Sequence, residues 1–164
     1  MRMRQNLFTG SGCLKLARIR MDDANGYITK LNKLEDQAEG IIKRSIYEGA
    51  GIIADQIKQE IDGIHNIYDY QKTDLKNGLG IAEMKKSRQG GIDTKIGFAG
   101  YGSVPTKKYP KGLPNLLLAR AIVSGTSFRS KTPFIRRAVT KSKPKALNAM
   151  EKQIDKDVQS IMEK

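Results

Sequence analysis

The chain contains 164 residues, the length of a single ordinary domain, and its 38% hydrophobic content, with 6% aromatics and no Trp, predicts a thin, aliphatic core. One Cys and one His exclude an internal disulfide and a Cys/His structural zinc site. Thirty basic against seventeen acidic residues give a net charge of +13, which selects anionic or acidic partners and carries no information about fold.

Residues 1–12 are basic but lack the apolar block of a signal peptide. The longest apolar stretch, 116–123, is interrupted by Arg120 and is far shorter than the ~20 residues of a bilayer span. The expectation is a soluble intracellular product with no membrane partner. Residues 1–13 read as a flexible basic arm ahead of a single domain over 14–164, and the imperfect alternation of apolar and basic residues over 14–20 predicts a short strand.

Asp22, Asp23 and Asn25 offer N-caps before Ile28, Leu31, Leu34, Ala38, Ile41, Ile42, Ile46, Ala50, Ile53, Ile57 and Ile61, whose steps of three and four predict a long amphipathic helix over 26–62, stopped by Gly63. Straight, it would be ~55 Å long at 1.5 Å per residue, whereas a globule of this length is only about 40 Å across. The helix must bend at Gly40, Gly49 or Gly51, or protrude; a protruding stripe needs a neighbouring subunit, with Ile46, Ile53 and Ile57 as candidate oligomer contacts.

Beyond a polar connection, 81–85 and 94–99 flank the Gly-rich turn 87–91 and predict two strands of a small antiparallel β-sheet. Residues 115–123 predict a short buried helix. Pro133 suits the first turn of another, through Ile135, Ala138 and Val139. Ala146, Leu147, Met150, Ile154, Val158, Ile161 and Met162 form a C-terminal helical stripe, with Pro144 either kinking that helix or starting a new one. The class is α+β: a long N-terminal amphipathic helix, a small antiparallel sheet with a basic loop, and a C-terminal helix.

The charge is segregated. Residues 22–63 hold nine acids and five bases, whereas 101–143 hold ten bases and no acid, together with four of the five prolines. That composition predicts a long, mobile, basic loop before and after the short helix, whose self-repulsion opposes a closed conformation. Lys107, Lys108, Lys111, Arg129 and Lys131 are its candidate contacts to DNA or a partner, and Tyr101 and Tyr109 interleave with the lysines as in single-strand binders.

No catalytic constellation assembles. His65 reads as a surface or capping residue past a helix end, Cys13 as an unpaired thiol, and Asp22 and Asp23 as helix caps. Gly97-Phe98-Ala99-Gly100-Tyr101-Gly102 lacks the spacing and the Gly-Lys-Ser/Thr ending of a phosphate loop. Neither a cofactor nor a metal site is expected, and the chain reads as a non-enzyme.

Gly125-Thr126-Ser127, a short basic spacer, and Thr132-Pro133-Phe134-Ile135-Arg136-Arg137-Ala138 before a charged amphipathic helix resemble the neck, or tail-completion, family of long-tailed double-stranded DNA phages and prophages. The likeness covers roughly residues 14–162 and includes the order of elements, with Thr73-Asp74-Leu75-Lys76-Asn77-Gly78-Leu79 resembling the family's Thr-Gly-x-Leu lead into the sheet. The chain departs from the pattern at Val123 and Ser124, where members carry Glu and an aromatic, at Arg137 in place of a second Pro, and at Asp74 in place of Gly.

The resemblance implies a virion structural protein of the neck, assembled in the bacterial host cytoplasm as a homo-oligomeric ring. It would complete the tail end and help join it to the head, with head-closure, tail-terminator or tail-tube proteins as neighbours and possible non-specific contact with channel DNA. Gly125, Thr126, Ser127, Pro133, Phe134 and Arg136 then form a structural motif. In physical terms Gly125 permits a sharp helix exit, Thr126 and Ser127 satisfy freed backbone groups, Pro133 sets the next helix, and Phe134 anchors it. The alternative from another class is a small basic intracellular nucleic-acid-binding protein.

Overall fold

The structure, a computed structural model, describes residues 21–163 except Gln89, with side chains of the first helix from Asn25 onward. The expected arm over 1–13, the strand over 14–20 and Cys13 lie outside the described residues. In chain order the elements are α1 (Met21–Asp62), α2 (Asp69–Gly78), β1 (Leu79–Ile81), β2 (Lys85–Lys86), β3 (Ile92–Asp93), β4 (Ile96–Phe98), α3 (Asn115–Ser124) and α4 (Phe134–Met162). The class is α+β and mostly helical.

The apolar stripe of the early segment forms α1, 42 residues long. It starts at Met21, before the expected caps, so Asp22 and Asp23 fall within its first turn. Ile41, Ala50, Ala54, Ile57 and Ile61 are buried. The helix ends where Gly63 follows, and Ile64 N–H donates to Ile61 O at 3.1 Å.

The returning α4 runs antiparallel along α1. Near its start Arg137 and Lys141 reach Glu60, at 3.2 and 2.5 Å; further on Met150 lies against Gly49, and Asp157 accepts from Arg44 at 2.9 Å. A Cβ on Gly49 would stand 2.0 Å from the Met150 Cε, so the Met150 side chain packs into the space this glycine leaves. The Lys141 hydrogen bond holds the Glu60 carboxyl below the usual carboxylate range, outweighing the upward push of desolvation.

Pro144 neither ends nor restarts the helix: α4 is continuous through it. Proline removes the hydrogen bond to the Thr140 carbonyl at a cost of roughly 3 kcal/mol, but Ser142 and Ala146 on either side are buried, while Pro144 and Thr140 face water. The buried Ser142 hydroxyl donates to Ala138 O at 2.8 Å.

Cover within the chain is uneven along the α1 stripe: Ile41, Ala50, Ile57 and Ile61 are buried, whereas Ile28, Leu31 and Ile42 stay 51%, 42% and 42% exposed. Ile57 is 3% exposed within the single chain, and Ile53 packs on the same core. Their cover comes from the chain's own core, so the aliphatic pattern is no sign of a subunit contact at these positions. Ile46 is half-buried.

The polar connection contains a helix that the pattern did not reveal. In α2 only Leu75 is buried, too few apolar residues for a stripe. The following strands form one hairpin in two tiers. Leu79, Gly80 and Ile81 pair with Phe98, Gly97 and Ile96, while Lys85 and Lys86 pair with Asp93 and Ile92. Three residues on one arm and two on the other separate the tiers, so the register slips by one, as at a β-bulge. Lys86 ties the outer tier to α1 through Glu39, at 2.5 Å, and Lys43 holds the same carboxylate at 2.7 Å.

The core gathers around the C-terminal end of α1. Ile61, Ile64, Leu75, Ile122 and Phe134 are fully buried or nearly so, joined by Leu118, Ala119 and Ala138. Phe134 meets Phe98 of β4 edge-on, with ring centroids 6.2 Å apart, so the start of α4 is held against the hairpin. The short helix α3 is buried on one side only: Asn115, Leu118, Ala119 and Ile122 face inward, whereas Leu116 and Leu117 are exposed.

Phe134→Ala is expected to cost about 3–5 kcal/mol, a large part of the ~5–15 kcal/mol stability of a domain, and to lower the urea midpoint accordingly. An unchanged midpoint would contradict its placement. A second prediction concerns acid. Hydrogen bonds from Lys43 and then Lys86 lower the Glu39 carboxyl from 4.5 to about 2. Because the folded value is depressed, its stabilising effect is present above pH about 4.5 and is lost as pH falls toward about 2. The difference in melting temperature between the wild type and Glu39→Gln should therefore be present at pH 7 and vanish near pH 2.

Candidate functional site

The basic segment is built around a closed loop, contrary to the expectation that its self-repulsion keeps it open. Tyr101 and Pro114 pair across its base, and Gly102 N–H donates to Leu113 O at 2.8 Å. At its tip Thr106 and Tyr109 exchange two backbone hydrogen bonds of 3.0 Å. Gly112, at φ +93°, passes so close that a Cβ there would lie 1.8 Å from Gly102 O. Repulsion loses because Lys107, Lys108 and Lys111 all point into water, where charges are screened, while the closure is made by backbone.

An acid also enters from outside the segment. Asp74 Oδ2 on α2 accepts from Ser103 N–H at 2.8 Å and from the Ser103 hydroxyl at 3.0 Å. Beneath the loop, buried Asn115 donates through Nδ2 to Asp74 O and Ala99 O, at 3.1 and 3.0 Å, while its Oδ1 has no protein partner. Gly78 is the complement of this clamp: a Cβ would stand 2.4 Å from both Ala99 O and Asn115 Nδ2. Asp74, Gly78 and Asn115 organise the loop. Composition singles out none of them, although Asp74 was visible as a departure from the family pattern.

The turn between α3 and α4 places the motif residues. Gly125, at φ +76°, leaves α3 where a Cβ would crowd Arg129 O and Lys131 N at 3.0 Å each. Thr126 and Arg129 then exchange backbone hydrogen bonds of 2.9 and 3.1 Å around Ser127 and Phe128, and Thr126 Oγ1 accepts from Phe128 N–H at 3.4 Å. Phe128 is 99% exposed at the tip. Thr132 N–H closes the segment on Ile122 O at 2.8 Å, and Pro133 precedes the first residue of α4. Ser127 and Arg136 face solvent.

The five candidate contacts do not share one role. Lys107, Lys108, Lys111 and Lys131 are exposed, and among the described residues none forms an ion pair. Arg129 is half-buried and donates to Asn66 O at 2.8 Å, fastening the motif turn to the chain beyond α1. It therefore belongs to the scaffold. His65 is exposed beyond α1. Among the described residues no group of three His, Cys, Asp or Glu is placed to hold a metal ion, and no helix is long and apolar enough to cross a membrane.

No family model, no curated protein and no solved structure matches this chain.

The loop closure yields a direct expectation. Gly112→Ala must displace the Gly102 backbone and open the loop, so limited trypsin digestion should cut at Lys107, Lys108 or Lys111 many times faster than in the wild type, with α1 and α4 still helical by circular dichroism. Equal cleavage rates would show that the close approach does not control closure.

Proposed function

We propose that the chain is a structural protein of a phage neck, completing the tail end and helping to join it to the head as a homo-oligomeric ring. The observation that carries this reading is the segment from Gly125 to Phe134. The residues that resemble the family motif are also those that physics requires here: a positive-φ glycine at the end of α3, a tight turn at Thr126, and a fully buried Phe134 starting the terminal helix.

Two further features support it. The order of long helix, hairpin, motif and terminal helix follows the family's, and the exposed lysines give the loop side of the molecule a surface suited to an acidic neighbouring protein or to DNA in a channel. In this reading the partners are further copies of the chain and head-closure, tail-terminator or tail-tube proteins, and the work is done by surfaces without a cofactor.

The test is assembly in a phage that encodes the chain. A variant with Lys107, Lys108, Lys111 and Lys131 all changed to Glu should fold with an unaltered melting transition, because all four side chains lie at the surface, yet should leave unjoined heads and tails countable by electron microscopy. Normal yields of tailed particles from this variant and from a deletion of the gene would overturn the reading. Arg129 is left intact so that the turn it fastens is not disturbed.

A further inference from the structure

A pair of aromatic rings stands beside the basic loop with no place in the core. Tyr68 and Tyr70 are stacked, with centroids 5.5 Å apart and planes 10° from parallel, and Tyr68 is 69% exposed. The backbone under Tyr68 is fixed: its N–H donates to Gln71 Oε1 at 3.3 Å, and its carbonyl accepts from the N–H groups of Gln71 and Lys72 at 3.0 and 3.2 Å. Tyr70 shares a cleft of about 90 Å³ with Val104 and Thr106 of the loop. Lys107 follows Thr106 directly, one Cα step of about 3.8 Å away, and Lys108 lies over the Tyr109 ring, 5.7 Å from its centroid.

Of the two acids of α2, Asp74 is held by Ser103 of the loop, whereas the Asp69 side chain is fully exposed, 3.7 Å from Lys72. What remains is a solvent-facing π-surface, one ring removed from the cleft that Tyr70 shares with the loop, and loop lysines with no carboxylate partner among the described residues. Stacked bases over aromatic rings and phosphates beside lysines are the two contacts by which proteins hold single strands. A duplex offers phosphates to such a site but keeps its base faces inside its own stack.

We propose that Tyr68 and the loop lysines Lys107, Lys108 and Lys111 form a binding site for single-stranded nucleic acid, with a base on the outer face of the Tyr68 ring and the backbone running along the loop. The site does not depend on the neck reading, because it rests on the Tyr pair and the folded loop, and it is tested with the purified protein alone.

The probes are a fluorescein-labelled 20-nucleotide oligo(dT) and a 20-base-pair duplex, followed by anisotropy over a series of salt concentrations with the full chain. Oligo(dT) should bind more tightly than the duplex. Tyr68→Ala should weaken oligo(dT) about five- to a hundredfold and change duplex affinity less than twofold, while Tyr68→Phe retains binding. Changing Lys107, Lys108 and Lys111 to Gln should flatten the slope of log affinity against log salt by about 0.7 for each phosphate that a lysine no longer neutralises. Melting temperatures of Tyr68→Phe and the lysine variant should match the wild type, since these side chains are exposed, and Tyr68→Ala should lose no more than the small contribution of its stacking on Tyr70. No binding of oligo(dT) would overturn the proposal, as would binding unaffected by Tyr68→Ala or an equal loss on the duplex. None of these results would bear on whether heads and tails join.

Discussion

The antiparallel contact between α1 and α4 is the constraint on which the other elements depend. A chain poor in aromatics cannot enclose a large core, and this one instead lines up two long helices whose buried residues mix small ones, Gly49, Ala50, Ala138, Ser142 and Ala146, with larger aliphatic ones such as Ile41, Ile57 and Ile161. The small residues leave room into which larger side chains such as Met150 pack, which gains dispersion contacts along the seam. Glu60 gathers Arg137 and Lys141 at one end, and Arg44 holds Asp157 toward the other. The largest fully buried apolar side chains are concentrated at one end, where α2, the hairpin and α3 complete the core around Phe134.

That concentration separates scaffold from surface. The clamp of Asp74, Gly78 and Asn115 and the turn fastened by Arg129 hold backbone segments that would otherwise be free loops. With the backbone fixed from below, the lysines of the tip are presented outward and need no counter-charge of their own. A basic surface of this kind contributes to the rate and selectivity of association more than to folding, which is why its residues can be changed without an expected loss of stability.

The same separation bears on the neck reading. Gly125, Thr126, Pro133 and Phe134 are explained by the turn and the helix start they build, so the segment on which the family resemblance rests is a folding device. Phe128, which the turn exposes almost completely, and the loop lysines are the parts left free to meet a neighbour.

The sequence by itself determined the elements whose signal is local. Steps of three and four in the apolar residues revealed α1 and the end of α4, the Gly-rich turn revealed the hairpin, and Pro133 marked the start of a helix. Tertiary structure alone decided which stripes are covered: Ile57 carries the same pattern whether its cover is a subunit or its own chain, and only the core formed around the end of α1 distinguishes the two. It also carried α4 through Pro144, because the packing of α4 along α1 on both sides of the proline outweighs the missing hydrogen bond, and it formed α2 around the single buried Leu75. The loop closes against expectation for the same reason: its acid-free composition is a local property, whereas the backbone pairs that close it and the Asp74 carboxylate, 29 residues before Ser103, that holds it to α2 are set by the fold. The nearness of Tyr70 to the loop depends on how α2 packs beside it and α3, which no spacing along the chain encodes.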